Sequence, residues 1–406
     1  MKRFFPILSW LPNYRRSYIR NDVLAGFTVA VLLIPQAMAY AMLAGLPPIT
    51  GLYASLVPLV VYPVFGTCRQ LAVGPVALDS ILVAAGIGAL ATTESNEFIV
   101  LAMLLAIMVG AIHLLISIAR LGFVVDFLSN PVISGFTSAA AIIIIFSQLR
   151  HLVGIALPPS QQIDTLITYL VDHLSEFHLP TFLIGISCFG MLFFIKKWKP
   201  HFPRALVVMI LSTTAVAFLD LHQFGIKIVG EVPQGLPLPI LPSFNLDIIG
   251  NLLPTALTIA FVSFMEAFAV AKRISAKRSY EVEANQELLG LGMANITAGI
   301  FGGYPIAGSF SRTAVNALSG AQTGVSSFIS AAVVGLTLLF LTPLFYYMPR
   351  AIFAAVIIMA VLGLVDVQEA KRLYRISRSD FLVMLFSFVA TLFLGIQLGV
   401  LLSIVA

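Results

Sequence analysis

Charge is scarce in this chain. Only 10% of its 406 residues are Asp, Glu, Lys or Arg, whereas 59% are hydrophobic, and the mean hydropathy is +1.01. An ordinary soluble domain has about 25% charged residues. The scarcity therefore excludes a soluble globular protein and predicts an all-α polytopic membrane protein in contact with the lipid bilayer.

Cysteine is scarce as well, and the sequence motifs of common enzymes are absent. Cys68 and Cys188 are too few and too far apart for a disulfide framework or a metal site. The chain has no phosphate-binding loop, no GxSxG elbow and no HExxH pair. We therefore predict no enzyme activity and no cofactor. The basic pI is interpreted as loop charge facing lipid, which predicts no nucleic-acid partner.

Residues 1–22 form a basic segment of their own. They include Trp10, Tyr14 and Tyr18, and they have no small-residue cleavage site after a short apolar core. A signal peptide would need that site. We predict an amphipathic arm on the cytoplasmic face instead.

Apolar stretches cover most of the remaining chain. The last of these stretches, residues 396–406, is too short to cross a bilayer, which needs about 20 residues, so we expect the sequence to be part of a longer protein. We count fourteen stretches and number them as spans one to fourteen: 23–44, 47–65, 69–91, 97–119, 127–148, 180–197, 203–221, 247–271, 284–301, 304–319, 321–344, 350–366, 379–395 and 396–406.

Basic residues between the spans predict the orientation. With a cytoplasmic N-terminus, 19 of the 23 Lys and Arg residues fall on the inner side, and Arg312 is embedded. The outer side holds Arg150, Lys227 and Arg350. This bias follows the positive-inside rule. We predict a multi-pass protein of the cell or inner membrane with its N-terminus in the cytoplasm.

Polar interruptions recur at matching positions in the two halves of the chain. Gln36 in span one and Glu266 in span eight are 230 residues apart, and Gly74 in span three and Gly308 in span ten are 234 apart. Seven spans separate these equivalents, and because seven is odd the halves have opposite orientations. The pattern predicts 14 transmembrane segments arranged as two inverted 7-span repeats, typical of secondary transporters.

Spans three and ten are both interrupted. In span ten, residues 304–307 are predicted to be extended and to lead into a short helix beginning near Gly308. In span three, residues 69–73 have β character, and Gly74 and Pro75 are predicted to begin a helix. The starts of two half-helices would then face each other near the midplane, each with about half a positive charge. Such a site suits a small anion.

Arg312 is the main candidate for binding that anion. An arginine inside a membrane is costly, and it usually marks function or pairs with an acid. The alternatives are a salt bridge between packed helices and snorkelling to an interface. The neighbouring Ser309, Ser311 and Thr313 offer hydroxyl donors, unless they bond back to their own helix.

Two carboxyl groups accompany Arg312. Glu266 lies in the middle of a span, where burial disfavours its charge and a nearby guanidinium favours it. We predict that Glu266 couples transport to protons, since its protonation would free Arg312 for an anion. The alternative is a permanent Glu266–Arg312 pair. Asp79 is a second proton site, a partner of Arg312 or a residue turned away, and the sequence leaves the three open.

Gln36 and Tyr40 are four residues apart and share a helix face. Both offer hydrogen bonds to a ligand, although Gln36 could instead bind the carbonyl that the neighbouring Pro35 leaves free. His113 and His151 are predicted to be structural or interfacial. Asn295 is predicted to bond between helices.

Several stretches resemble the SulP anion transporters, the sulfate permease family, whose animal relatives include prestin. The resemblance covers nearly the whole chain. The matching stretches are GFTVAV and IPQAMAY within 26–40, GTCRQLAVGPVA at 66–77, NQEL from 285 and FGGYPIAGSFSRTAVN at 301–316.

The resemblance implies how the chain divides. A core domain would comprise residues 23–119 (spans one to four) and 247–344 (spans eight to eleven). A gate domain would comprise residues 120–246 (spans five to seven with their outer loops) and 345–406 (spans twelve to fourteen). Family members usually also carry a cytoplasmic STAS domain, which we expect to lie outside these 406 residues, and form homodimers.

The resemblance also implies the site. The anion would lie between the third and tenth half-helices, with Glu266 matching the carboxylate of proton-coupled sulfate members and Asp79 departing from a usually uncharged residue. We expect proton-coupled sulfate symport by alternating access. The alternatives are an anion exchanger, a sodium-coupled bicarbonate transporter, a channel-like anion conductor, and a purine or uracil permease. The implied substrate-binding residues are Gln36, Tyr40, Val76, Ala77, Ser309, Phe310, Ser311 and Arg312.

Overall fold

The structure is a computed structural model of the chain, and helices make up most of it. It describes residues 4–122, 130–155, 168–169, 172–173, 176–198, 202–242, 245–278, 280–395 and 399.

The chain separates into two compact units. The first comprises Met1–Val125 and Glu231–Leu344, and the second comprises Asp126–Gly230 and Phe345–Ala406. Each unit therefore draws on both halves of the sequence.

The first unit contains helices from both repeats and two short strands. Several of the helices are apolar along their whole length, as expected of segments that are buried or face lipid. Its elements are α1 (Ile7–Trp10), α2 (Arg16–Leu43), α3 (Pro48–Phe65), β1 (Val73–Gly74), α4 (Ala77–Gly88), α5 (Asn96–Ile118), α9 (Leu246–Arg278), α10 (Ala284–Ile300), β2 (Ala307–Gly308), α11 (Phe310–Leu318) and α12 (Val325–Leu336).

The second unit is built from the remaining helices. Ser387 donates a hydrogen bond to the Val132 carbonyl at 3.0 Å, which joins its first and last helices. Its elements are α6 (Asn130–Val153), α7 (Leu179–Trp198), α8 (Arg204–Phe218), α13 (Arg350–Val361), α14 (Val367–Ile376) and α15 (Arg378–Leu394).

The helices follow the predicted spans closely. Spans one to thirteen each coincide with a described element, and span fourteen lies outside the described residues apart from Gly399. Eight helices in the described part of the chain are long and apolar enough to cross a membrane. The basic stretch after span twelve forms the amphipathic helix α14, which buries Leu373 and exposes Lys371, Arg372 and Arg375.

The two interrupted spans meet in an antiparallel strand pair. Val73 pairs with Gly308, and Gly74 pairs with Ala307. Because antiparallel strands run in opposite directions, the half-helices α4 and α11 leave the pair in opposite directions. The pairing is the structural counterpart of the inverted repeat that the spacing predicts.

The predicted helix start in span three is wrong by a few residues. Helix α4 begins at Ala77 and not at Gly74, and Pro75 precedes it. The residue before a proline favours extended backbone, and Gly74 has a φ of +145° and bonds to the opposing strand. Strand pairing therefore holds these residues outside the helix. In span ten the strand is likewise two residues long, and α11 begins at Phe310.

Residues 231–246 belong to the first unit. The Gly235 N–H donates to the Leu338 carbonyl at 3.1 Å, and the Ile240 N–H donates to the Ile300 carbonyl at 2.8 Å. An extended, proline-rich segment satisfies its backbone groups by bonding to whatever it crosses. Here it crosses the ends of α10 and α12.

Glycines allow α5 and α10 to pack closely. A Cβ on Gly110 would lie 2.6 Å from the Gly292 carbonyl oxygen, and one on Gly299 would lie 2.5 Å from the Met103 carbonyl oxygen. Small residues allow such close approach of membrane helices. This packing supports α10, which in turn holds the loop that leads to β2.

Candidate anion-binding site

The strand pair is held by bonds from α11. The Ser309 N–H donates to the Ala72 carbonyl at 3.0 Å, and the Ala72 N–H donates to the Thr313 hydroxyl at 3.0 Å. Asn316 donates to the Gln70 carbonyl at 2.9 Å. The hydroxyl of Thr313 is therefore used for structure, and α11 is bound firmly to the strand that precedes α4.

The segment before β2 is held from α10. Asn295 accepts a hydrogen bond from the Ile306 N–H at 2.9 Å and donates to the Ile306 carbonyl at 3.0 Å. Both functional groups of one amide thus fix a single residue of extended backbone. Asn295 thus bonds to an extended segment, whereas its polarity predicted a bond between helices.

Arg312 lies at the junction of the half-helices. Its side chain is 1% exposed, and Nη1 donates to Gln36 Oε1 at 3.5 Å. Nη2 lies 3.3 Å from the position of a Cβ on Gly74, so the guanidinium extends towards β1. Nε and Nη2 have no hydrogen-bond partner among the described residues. A buried guanidinium with unused donors is suited to binding an anion.

Arg312 forms no structural ion pair. Within the described residues, no carboxylate oxygen lies within 4.0 Å of its guanidinium. The alternatives of a permanent Glu266–Arg312 pair and of a direct Asp79–Arg312 pair are therefore wrong for this structure. Burial of the side chain also excludes snorkelling.

Glu266 is placed near Arg312 by α9. A Cβ on Gly308 would lie 3.0 Å from the Ala267 Cα, so α9 packs directly on β2. Glu266 is half-buried, its Oε2 has no hydrogen-bond partner, and it interacts electrostatically with Arg312. The carboxyl group therefore lies close enough to the guanidinium to interact with it electrostatically, but the two groups form no salt bridge within the described residues.

Asp79 is fully buried in the first turn of α4. Neither of its carboxyl oxygens has a hydrogen-bond partner, and it interacts electrostatically with Glu266. The carboxyl groups of Asp79 and Glu266 therefore both lie near the strand pair, and neither accepts a hydrogen bond from the described residues.

Two other buried acids of the first unit, Glu287 and Asp22, differ from Asp79 and Glu266 in the number of hydrogen bonds that they accept. Glu287 accepts hydrogen bonds from Tyr62, from both the N–H and the hydroxyl of Thr67, and from the Cys68 N–H, at 2.5–3.0 Å. Asp22 accepts from Gln322, from Thr323 and from Tyr14. These saturated acids hold loops in place. The sequence analysis missed both, because nothing in their spacing distinguishes them.

The remaining predicted site residues lie on several elements. Tyr40 and the residues Val76 and Ala77 at the start of α4 are buried. Ser309 caps α11, and its hydroxyl accepts from the Arg312 N–H at 3.5 Å. Phe310 and Ser311 are exposed in the first turn of α11.

Tyr304 interacts electrostatically with Arg312, and the sequence analysis did not single it out. Its fully buried hydroxyl lies 3.2 Å from the Ser80 hydroxyl on α4. Its position in the loop before β2 was interpreted only as extended backbone. His113 is structural, as predicted, since it bonds to the Ala260 carbonyl at 2.8 Å and joins α5 to α9.

The fold and the site together define a class. Long apolar helices, crossed antiparallel half-helices and a buried cation at their junction are the features of an inverted-repeat membrane transporter. The chain belongs to the sulfate permease family, which its residues 19–387 match.

Curated relatives agree with this assignment. The chain is 44% identical to the chloroplastic sulfate transporter 4.1 of Arabidopsis thaliana, over 98% of this chain and 59% of that protein. It is 37% identical to the probable sulfate transporter Rv1739c of Mycobacterium tuberculosis, over 97% of this chain and 71% of the relative. The chain thus spans about 60% of the length of the Arabidopsis relative.

Solved structures share the fold. SLC26A9 matches with a TM-score of 0.93 and 26% identity, over 100% of this chain and 67% of that one. The transmembrane domain of the cyanobacterial bicarbonate transporter BicA matches with a TM-score of 0.82 and 25% identity, over 97% and 98%. These matches confirm the predicted all-α polytopic membrane fold with its inverted repeat, and they confirm the resemblance found from the motifs.

Proposed function

We propose that the protein is a secondary active transporter of a small inorganic oxyanion, sulfate, and that it carries a proton with the anion by alternating access. The observation that carries this proposal is the buried Arg312 guanidinium, whose Nε and Nη2 make no hydrogen bond within the part of the chain that the structure describes. The names of the sulfate transporters related to this chain support the choice of anion.

The anion would be held from three directions. Arg312 would supply charge and two donors, and Gln36, already 3.5 Å from Arg312, would orient the guanidinium or donate its amide. The first N–H groups of α4 (after Val76 and Ala77) and of α11 (after Ser309) would add partial positive charge. Tyr40, Phe310 and Ser311 would complete the binding residues.

Glu266 would couple binding to protons. When Glu266 is protonated, the positive charge of Arg312 is available to the anion. When Glu266 ionises, its carboxylate competes with the anion for the same guanidinium. A proton would therefore enter with the anion from the acidic side, and loss of the proton on the alkaline side would favour release of the anion.

The first unit would act as the core domain and the second as the gate domain, in a homodimer with cytoplasmic N-termini. Uptake into proteoliposomes tests the function. We expect sulfate uptake to exceed uptake of chloride and dicarboxylates, and to rise when the outside is more acidic than the inside.

Each alternative has its own outcome in that measurement. Bicarbonate is the second candidate, since a bicarbonate transporter shares the fold. Bicarbonate uptake driven by sodium would replace the proposal. Sulfate uptake that does not depend on the proton gradient would refute proton coupling but not sulfate transport. Anion conductance far above carrier turnover would favour a channel.

Glu266→Gln separates the roles within the site. The amide imitates the protonated carboxyl group, so we expect sulfate binding to persist and its pH dependence to flatten. Sulfate affinity would be measured across mildly acidic to mildly alkaline pH. Glu281→Gln, at an exposed loop position, is the matched control and should leave the profile unchanged. An unchanged profile in Glu266→Gln would remove the residue from the coupling mechanism.

A further inference from the structure

The second unit contains a cavity that the transport site does not use. Its volume is about 490 Å³, and Arg150, Lys227 and Arg350 all line it. These are the three basic residues that the orientation assigns to the outer side. We refer to it as the three-cation cavity.

Backbone pairing brings two of the cations together. The Arg350 N–H donates to the Lys227 carbonyl at 2.9 Å, and Ile228 forms an antiparallel bridge with Pro349. The Val229 N–H continues the pairing to the Met348 carbonyl at 2.9 Å. Residues more than 120 positions apart thus lie side by side at the start of α13, and their basic side chains line one cavity.

The third cation comes from the end of α6. The Gly154 N–H donates to the Arg150 carbonyl at 3.0 Å, and the chain turns at Gly154, whose φ is +82°. The His178 N–H then donates to the Val153 carbonyl at 3.0 Å. This bond joins the end of α6 to the start of α7 and closes one wall of the cavity.

Two histidines add oriented polar groups. Arg150 Nε donates to His151 Nε2 at 3.1 Å, so His151 accepts at that nitrogen. His178 Nδ1 accepts from the Thr181 N–H at 3.3 Å, which leaves its Nε2 to carry the proton. That Nε2 lies 3.1 Å from the position of a Cβ on Gly225, and both residues line the cavity.

Basic side chains outnumber acidic ones among the described residues that line the cavity. Glu176 is the one carboxylate among the described lining residues, against three cations. All three cations are close enough to His151 to act on it electrostatically, which shows that their fields overlap. Clustered like charges in a concave site attract counter-ions. The volume is many times the roughly 30 Å³ share of one liquid water, so a hydrated ion can enter.

We propose that the three-cation cavity is a second anion site, which binds a small free oxyanion of the sulfate type independently of Arg312. It would concentrate oxyanions at the end of the second unit opposite to Lys196 and Lys197, which close α7. The inference does not depend on which anion is transported or on proton coupling.

Lysine labelling of the whole chain tests the proposal. Lys227 is exposed and therefore accessible to an acetylating reagent, as are Lys196 and Lys197. We expect sulfate to slow the acetylation of Lys227 by at least about threefold near saturation, because a bound ion shields the amine. Rates would be read by mass spectrometry at constant ionic strength, with gluconate replacing sulfate in the reference.

Lys196 and Lys197 serve as internal controls, and their rates should not change. Protection of Lys227 should persist in Arg312→Ala, which separates this site from the transport site. Glu176→Gln should lower the sulfate concentration needed for half-protection, because it removes the opposing charge, whereas Arg350→Gln should raise it. If Arg350→Gln does not fold, the sulfate concentration for half-protection in Glu176→Gln tests the proposal by itself.

Several results would overturn the proposal. They are equal protection by gluconate, equal slowing at Lys196, loss of protection in Arg312→Ala, and half-protection that Glu176→Gln leaves unchanged. A phosphate head group has the same oxyanion chemistry, so the measurement is repeated in nanodiscs with and without phosphatidylglycerol. Protection that needs this lipid and not sulfate would assign the cavity to a lipid and refute the free ion.

Discussion

The half-helices α4 and α11 occupy equivalent places in the two repeats, but one carries an acidic and the other a basic side chain in its first turn. Asp79 is the third residue of α4, and Arg312 is the third residue of α11. A helix start favours a negative charge and disfavours a positive one. The acidic Asp79 therefore matches the preference of the start of α4, whereas the positively charged Arg312 is disfavoured at the start of α11. Arg312 therefore lies where the helix start disfavours its positive charge, and a role in binding an anion would explain its position.

The caps of the two half-helices differ in the same sense. Ser309 caps α11 through its hydroxyl, whereas Val76 offers α4 no side-chain bond. The helix that carries the unfavourable charge is thus the one with the additional support. Four substitutions test this contrast, beginning with the largest expected effect.

Arg312→Gln removes the charge that distinguishes the two helices. We expect sulfate affinity to fall at least about 30-fold, because truncating one partner of a buried charge pair costs about 2–5 kcal/mol. Equilibrium binding of sulfate is the measurement. Arg273→Gln, at an exposed position of α9, is the control with unchanged affinity. Full affinity in Arg312→Gln would exclude the arginine from the site.

Gly74→Ala disturbs the strand on the α4 side. At a φ of +145° a side chain is strained, and the new Cβ would lie 3.3 Å from both Arg312 Nη2 and Leu33 Cδ1. We expect a loss of about 1–3 kcal/mol in the free energy of unfolding. Thermal unfolding in detergent measures it. Gly88→Ala, at the end of α4 with no neighbour within 4 Å, should be neutral or stabilising. Wild-type stability in Gly74→Ala would contradict the geometry of the strand pair.

Ser309→Ala removes the cap of α11. Loss of an N-cap costs about 0.5–2 kcal/mol, and we expect the lower end because the hydrogen bond here is long, at 3.5 Å. Thermal unfolding and sulfate binding should both weaken slightly, and Ser309→Thr should restore them. A variant as stable as the wild type would show that the cap contributes nothing.

Asp79→Asn should have the smallest effect. Neither carboxyl oxygen receives a hydrogen bond, so the isosteric amide removes no contact. We expect sulfate affinity to change by less than about twofold, in line with substitutions that break no interaction. Glu287→Gln is the contrasting control, since it removes an acceptor of several bonds and should lower stability by about 1–3 kcal/mol. A shifted pH profile in Asp79→Asn would instead identify a second proton site.

Much of this arrangement could be predicted from the sequence. Hydropathy located thirteen of the spans that the structure describes, and Gly and Pro located the breaks in spans three and ten. The resemblance implied that Gln36 and Arg312 belong to one site, and in the structure they lie 3.5 Å apart. These features are local or periodic, so short stretches of sequence suffice to predict them.

The errors have a common physical cause. The start of α4 was placed too early because the pairing of Gly74 with Ala307 involves residues far apart in sequence. The backbone hydrogen bonds of residues 231–246 were not predicted for the same reason, since their partners lie at and just beyond the ends of α10 and α12. Local preference predicts what a segment can form, but a distant partner decides which option it takes.

The sequence by itself determined the membrane class, the position of the spans, the repeat and the single embedded arginine, because each follows from the cost of burying charge or interrupting an apolar helix. Only the tertiary structure decided which buried acids receive hydrogen bonds. It also showed that Arg312 makes no ion pair and that three distant cations line one cavity. Those facts depend on where donors from other elements lie in space, and no spacing along the chain records them.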